Sequence, residues 1–341
     1  MGTPLDTRGR PLRSIRVSVT DRCNLRCAYC MPERSYQWLE RDKLLHFGEI
    51  AAIVDAFCSL GVEAVRITGG EPLVRRELPR LVEQLARRSA LRDIAMTTNG
   101  ILLADQAVAL AQAGLTRVTV SLDSLDERVF ERVTQRRGLS DVLAGIDVAT
   151  RIWPGRVKLD TVVMRGVNDG EVLDMLEFAR VRGIEARFIE YMDVGGATHW
   201  SPNDVFSRAE LLRLVAWRHG PVEELRDASS APAQRFRLGD GTVFGIVAST
   251  TTPFCARCDR SRLTADGHWY MCLYARLGLD LRTLLRRGAS TRELAYRIAQ
   301  TWSARDERGA EDRLAERERG PSADVGLLRE DPRLEMHTRG G

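Results

Sequence analysis

Residues 21–30 read Asp21-Arg22-Cys23-Asn24-Leu25-Arg26-Cys27-Ala28-Tyr29-Cys30. Just before them, Ser14–Val19 is a short β-branched run with the composition of a strand. The cysteines therefore fall on a loop at the C-terminal end of a first strand, spaced C-x3-C-x2-C. Three thiolates so close in sequence suit a soft metal site. A structural zinc wants four ligands, and the loop holds no fourth Cys or His. A 4Fe–4S cluster held by three cysteines leaves one iron open to a ligand from outside the protein.

Working outward, the same theme repeats to Tyr191. Strand-like runs recur at Ala64–Thr68, Ile94–Thr98, Arg117–Ser121, Lys158–Met164 and Ala186–Tyr191. Helical patterns lie between them at Gly48–Leu60, Arg76–Arg88, Asp105–Ala113, Ser140–Arg151 and Gly170–Arg182. Gly61, Gly114 and Gly183 follow three of these helices as stop signals. Strands alternating with helices imply parallel pairing through crossovers. Six such units predict an α/β fold, an incomplete (β/α)6 TIM-like barrel, with functional residues at the C-terminal strand ends.

After Met192 the alternation stops. A helix is expected over Arg208–Arg218 and a hairpin of Arg235–Leu238 with Val243–Val247 around Gly239-Asp240-Gly241. Beyond Trp302 an Arg-, Glu-, Asp- and Ala-rich segment runs to Arg319, expected as a solvated helix or partly disordered.

Composition narrows the class. At about 150 residues per domain, 341 residues suggest two domains or one barrel with an appendage. A net charge of +4 on 51 basic and 47 acidic groups is too weak to argue for nucleic acid. No apolar run of about 18 residues is present, so no membrane span is expected. Met1–Arg13 has no apolar stretch of a secretory signal, and seven cysteines is an odd number. A reducing cytoplasm without disulfides is the expectation. All but two of the basic residues are Arg; Lys158, flanked by strand-like residues, stands out because Lys is a compact point charge rather than a planar fork. Cys58, alone in a helical stretch, reads as a small buried hydrophobe.

A second cysteine set, Cys255-Ala256-Arg257-Cys258 with Cys272 thirteen residues on, admits two readings. One is zinc with His268 as fourth ligand; the other is a second three-cysteine cluster. Spacing alone slightly favours zinc.

The C-x3-C-x2-C loop, with Tyr29 just before its last cysteine, resembles the signature of the radical S-adenosylmethionine (SAM) superfamily. Thr68-Gly69-Gly70-Glu71-Pro72, at the end of strand two, resembles that superfamily's Gly-Gly-Glu-Pro element. C-x2-C-x13-C after such a barrel, followed by Arg260-Ser261-Arg262, resembles the GTP 3′,8-cyclase family, which begins molybdenum cofactor biosynthesis. The resemblance runs from about Ser14 to Cys272 and includes the terminal Gly340-Gly341.

The resemblance implies two 4Fe–4S clusters, one on Cys23, Cys27 and Cys30 that binds SAM, and an auxiliary one on Cys255, Cys258 and Cys272 that binds the guanine of GTP. It implies SAM contacts from Tyr29, Gly70, Ser121 and Met192. It implies GTP contacts from Arg16, Arg66, Thr97, Lys158, Arg260, Ser261 and Arg262, and a catalytic Gly340-Gly341 tail reaching the active site. In this family one electron cleaves SAM, the 5′-deoxyadenosyl radical takes the ribose 3′-hydrogen, and C3′ closes on C8. The implied organisation is an N-terminal extension (1–13), the barrel (14–192), a cluster- and substrate-binding region (193–302) and a charged tail (303–341).

The implied partners are GTP, a low-potential electron donor of flavodoxin or ferredoxin type and a downstream cyclic pyranopterin monophosphate synthase. No nucleic acid and no membrane are expected, and a homodimer stays open. Three points stay open in the sequence. Arg16 and Arg66 point either into the barrel or outward to helix carboxylates. Thr97 and Thr98 compete for one contact. Ser303–Arg333 and Arg339 complicate docking of the tail. A radical SAM peptide maturase and a zinc-bearing nucleic-acid module are the competing functions.

Overall fold

The computed structural model describes residues 2–226 and 230–340. Six strands follow the expected alternation: β1 (Ser14–Ser18), β2 (Ala64–Thr68), β3 (Asp93–Thr98), β4 (Arg117–Ser121), β5 (Val157–Val163) and β6 (Glu185–Glu190). Between them lie α1 (Phe47–Cys58), α2 (Leu78–Ala86), α3 (Leu103–Gln112), α4 (Glu127–Thr134), α5 (Leu139–Ile152) and α6 (Val172–Val181). The strands pair in parallel in chain order. Their apolar residues pack against the helices, from Ile15 and Val17 to Phe188. Helix α4 was not anticipated; the Asp126 side chain caps it by accepting from the Arg128 and Val129 amides.

The C-terminal region continues with α7 (Arg208–His219), β7 (Glu223–Leu225), β8 (Gln234–Arg237), β9 (Val243–Val247), β10 (Arg260–Leu263), β11 (His268–Tyr270) and β12 (Leu279–Asp280). The β8–β9 hairpin forms as expected. Two of these strands, however, join the barrel sheet: β9 pairs parallel with β6, and β10 pairs parallel with β1. Among the described residues the six barrel strands thus gain one parallel neighbour on each flank. Short antiparallel strands finish each margin, in the order β12-β11-β10-β1-β2-β3-β4-β5-β6-β9-β8-β7.

Among the described residues the chain continues through α8 (Leu281–Arg286), α9 (Thr291–Ser303), α10 (Gly309–Leu314) and α11 (Val325–Glu330) to a last turn, α12 (Met336–Arg339). The segment from Ser303 to Arg319, expected as a solvated helix or partly disordered, holds one short helix, Gly309–Leu314, and most of its residues are at least partly exposed. Arg305, Arg313 and Arg319 are nonetheless anchored on the body. The Asp193 carboxylate, fully buried, accepts from Arg313 Nε at 2.8 Å, Arg319 Nε at 2.9 Å and the Tyr274 hydroxyl at 2.7 Å. The N-terminal extension is likewise stitched down, with the Thr7 amide donating to the Arg305 carbonyl at 3.2 Å. Among the described residues no helix is long and apolar enough to cross a membrane.

Candidate active site

A cavity of about 1120 Å³ runs through the barrel and is lined by both cysteine sets, Cys23, Cys27 and Cys30 and Cys255, Cys258 and Cys272. The first set sits where β1 ends, and a chain of hydrogen bonds fixes its loop. The Asn99 side chain donates to Asn24 Oδ1 at 2.7 Å and lies 4.0 Å from the Cys23 sulfur. The Asn99 amide in turn donates to Glu71 Oε2 at 2.7 Å, and Glu71 also accepts from Thr98 Oγ1 at 2.7 Å and the Leu73 amide at 3.0 Å. Burial pushes the Glu71 carboxyl up to about 7.

A β-carbon on Gly70 would stand 2.5 Å from the Arg22 carbonyl oxygen and 2.7 Å from that of Asp21. Only glycine lets β2 end this close to the cysteine loop. The Leu25 amide donates to the Cys23 sulfur at 3.4 Å. Burial raises all three thiols, that of Cys23 to about 11, and the charge of Cys23 raises Cys27 and Cys30 further. Three soft donors with amide N–H groups aimed at sulfur, beside a strand end stripped of side chain, fit an iron–sulfur cluster. The second set fits too. Cys258 is pulled down to about 7, burial being opposed by the charges of Arg260 and Arg305. Among the described residues no three His, Cys, Asp or Glu side chains close on a point as ligands of one ion do. His268 faces Asp266 at 3.3 Å and lies outside the cavity lining.

Tyr29, Gly70, Ser121 and Met192 all line the cavity. The Tyr29 hydroxyl donates to Asp123 Oδ2 at 2.8 Å, so its side chain braces the strand-four end. Asp123 was not singled out from the sequence; it lies two residues beyond Ser121, where strand-end residues of such barrels collect.

Deeper in the lumen the basic residues converge. Arg16, Arg66, Thr97, Lys158, Arg260 and Arg262 line it, which settles Arg16 and Arg66 as inward-facing. Register explains the meeting, because Arg16 stands beside Arg66 on β2 and beside Arg262 on β10. Burial, and then the charges of Arg262 and Arg260, depress Arg16 well below the usual guanidinium range. Arg66 is depressed by burial and by Arg16. Arg262 falls to about 9 by burial and by Arg260 and Arg339.

Arg66 donates to Thr97 Oγ1 at 3.3 Å, whereas Thr98 is engaged by Glu71. Lys158 is not a free cation; its Nζ donates to Glu185 Oε1 at 2.8 Å. Ser261 departs from expectation: strand alternation turns it away from its neighbours Arg260 and Arg262, into the buried side, outside the cavity lining. Arg117, Arg187 and Asp160 also line the lumen and were missed, since they look like any charged residue of a strand.

The tail enters the same space. Met336 and His337 line the cavity, and the Gly340 carbonyl accepts from Arg262 Nη1 while Arg16 Nη1 stands 3.5 Å away. Gly340 has φ +74°, and a β-carbon there would fall on the Thr68 hydroxyl. The Arg339 side chain takes other partners. It donates to the Leu273 carbonyl at 2.5 Å and lies 4.1 Å over the Tyr270 ring, so it anchors the tail. Gly341 lies outside the described residues.

Known proteins match this arrangement. The radical SAM superfamily model matches residues 17–179, and the molybdenum cofactor synthesis C model matches residues 184–311. GTP 3′,8-cyclase 1 of Mycobacterium tuberculosis is 53% identical over 336 residues, covering 97% of this chain and 94% of that protein. GTP 3′,8-cyclase of Xanthomonas axonopodis pv. citri is 42% identical, covering 96% of this chain and 99% of that protein. SuiB of Streptococcus suis, solved with S-adenosylmethionine bound, shares the fold with a TM-score of 0.62 at 13% identity, over 90% of this chain and 69% of SuiB. A parallel barrel with three cysteines at the end of its first strand defines a radical SAM enzyme. The second cysteine set comes with full-length likeness to named relatives. The chain belongs to the GTP 3′,8-cyclase family.

Proposed function

We propose that the chain converts GTP to 3′,8-cyclo-7,8-dihydro-GTP, the opening step of molybdenum cofactor biosynthesis, in the chamber between its two cysteine sets. The observation that carries this reading is the band of Arg16, Arg66 and Arg262, in register on neighbouring strands, partly buried in one lumen and depressed by desolvation and by neighbouring guanidiniums. Like charges held in a low-dielectric space are stabilised by an anion placed among them. A triphosphate is such an anion, and planar guanidinium forks bind phosphate oxygens in pairs.

In this reading Cys23, Cys27 and Cys30 hold the SAM-binding 4Fe–4S cluster, and Cys255, Cys258 and Cys272 hold the auxiliary one. When bound, these groups and SAM supply the one-electron chemistry that removes the ribose 3′-hydrogen and an open iron for the guanine base. The chain's own residues place the reactants. Tyr29, Gly70, Ser121 and Met192 form the SAM side of the cavity. Arg16, Arg66, Arg260 and Arg262 grip the nucleotide, with Thr97 orienting Arg66 and Lys158, paired with Glu185, lining the same cavity. Holding two reactants in attack geometry replaces a bimolecular step with a unimolecular one. The tail, its Gly340 carbonyl held by Arg262, covers the chamber and keeps water from a reactive intermediate. A flavodoxin- or ferredoxin-type donor supplies the electron, and cyclic pyranopterin monophosphate synthase consumes the product.

Anaerobic turnover with GTP tests the reading. Cys255→Ala retains SAM cleavage and loses cyclisation. Unchanged cyclisation in that variant removes the second cysteine set from the reaction.

A further inference from the structure

Two arginines and one aspartate lie buried behind the second cysteine set. Arg10 and Arg305 are each 2% exposed, and Asp6 is 6% exposed. Arg10 Nε donates to Asp6 Oδ2 at 2.6 Å, and Arg305 Nη1 stands 3.5 Å from the same oxygen. Both arginines then reach forward to the cysteine loop. Arg10 Nη1 donates to the Cys255 carbonyl at 3.1 Å, and Arg305 Nη1 donates to the Cys258 carbonyl at 2.9 Å. Trp302 completes the ring; its Nε1 donates to the Arg10 carbonyl at 3.0 Å, and the Arg305 guanidinium lies 4.4 Å over its indole.

The charges in this ring do not cancel. Two guanidiniums face one carboxylate, and the next acidic oxygen, on the partly exposed Glu307, is 3.8 Å from Arg305. Arg10 Nη2 and Arg305 Nε make no hydrogen bond among the described residues. A buried, uncompensated positive charge is costly unless an anion stands nearby. Beyond Asp6 and Glu307, the arginines reach the loop that carries the Cys255 and Cys258 thiols, whose carbonyls they already hold.

The following segment wraps the same set. The Ala310 amide hydrogen-bonds the Cys255 thiol, and a β-carbon on Gly309 would stand 2.9 Å from the Cys272 sulfur. Residues from the N-terminal extension and from the charged segment after Trp302 thus reach the second cysteine set from behind.

We propose that Arg305 and Arg10, held together by Asp6, are positioning residues of the auxiliary cluster. They fix the Cys255–Cys258 loop and supply the positive charge that offsets its thiolates. The inference rests on the assignment of Cys255, Cys258 and Cys272 as ligands. A positive charge beside a cluster favours the reduced, more negative form and raises its potential. Removing the charge lowers it.

The test is a potentiometric titration of the reconstituted holoenzyme, each cluster followed by its electron paramagnetic resonance signal, with iron counted per chain. In Arg305→Gln the auxiliary cluster's ratio of reduced to oxidised form, at a fixed potential, falls at least tenfold, equivalent to about 59 mV for one electron. The SAM cluster's midpoint stays in place. Arg305→Lys, which keeps the charge, stays near the wild-type midpoint. Should Arg305→Gln fail to load its second set, Arg10→Gln removes the same unit of charge and is read the same way. Full iron with both midpoints unmoved in the glutamine variants overturns the proposal. A wild type holding about four irons instead of about eight overturns the ligand assignment on which it stands.

Discussion

The Glu71 carboxylate accepts the Asn99 amide at 2.7 Å, and through Asn99 it governs the loop that carries Cys23. The end of β2 is thereby tied to the end of β3, and both to the cysteines. Glu71→Ala strands the Leu73 and Asn99 amides in the interior. Each such loss costs roughly 1–3 kcal/mol. The expected outcome is a drop of about 3 kcal/mol in apoprotein stability by urea unfolding, with lower iron at the first set after reconstitution.

Thr97 and Thr98 separate cleanly. Thr97 Oγ1 meets Arg66 in the lumen, and Thr98 Oγ1 meets Glu71 behind it. Thr97→Val is expected to weaken GTP binding several-fold by calorimetry with little change in melting temperature. Thr98→Val is expected to do the opposite.

Arg262→Gln removes one fork from the basic band and the Gly340 anchor together. A hydrogen bond to a charged group contributes about 1.5–3 kcal/mol, or roughly ten- to a hundredfold in affinity. GTP affinity falls by that factor, and SAM affinity stays within about twofold.

Tail docking has a pH dependence with a defined sign. Burial and the neighbouring Glu33 push the Glu335 carboxyl from 4.5 up to about 7. The docked form therefore prefers the neutral acid. Its contribution to docking is complete below about pH 4.5 and is lost as pH rises through about 7. Hydrogen exchange of residues 331–340, corrected for intrinsic rate, is expected to show more opening at pH 8 than at pH 6. Glu335→Gln flattens that difference.

Gly340→Ala tests the tail itself. A side chain there meets the Thr68 hydroxyl, and φ +74° is strained for an L-residue. Cyclisation is expected to fall at least tenfold while both clusters load normally.

The first six strands were legible within a residue or two, because each alternates with a helix and is bounded by turn residues. The cysteine loop and Gly70 were legible because their chemistry is local in sequence. What was not legible is pairing over long separations. Arg260–Leu263 is four residues long, and nothing within it announces β1, some 245 residues earlier, as its neighbour. That pairing sets the parity that turns Ser261 away and Arg262 inward. The roles of Asp6, Arg10 and Asp193 were hidden for a similar reason. Each looks like surface charge until its distant partners arrive.

Strands β9 and β10 close on opposite flanks of the first six, so the later part of the chain seals both raw borders of the earlier part. A fragment ending near Met192 would expose two unsatisfied ribbons of backbone at once, an invitation to polymerise. The first six strands and the segment that follows them are consequently not interchangeable modules. Any recombination of this enzyme with a cousin has to splice outside the sheet or exchange both halves as a unit.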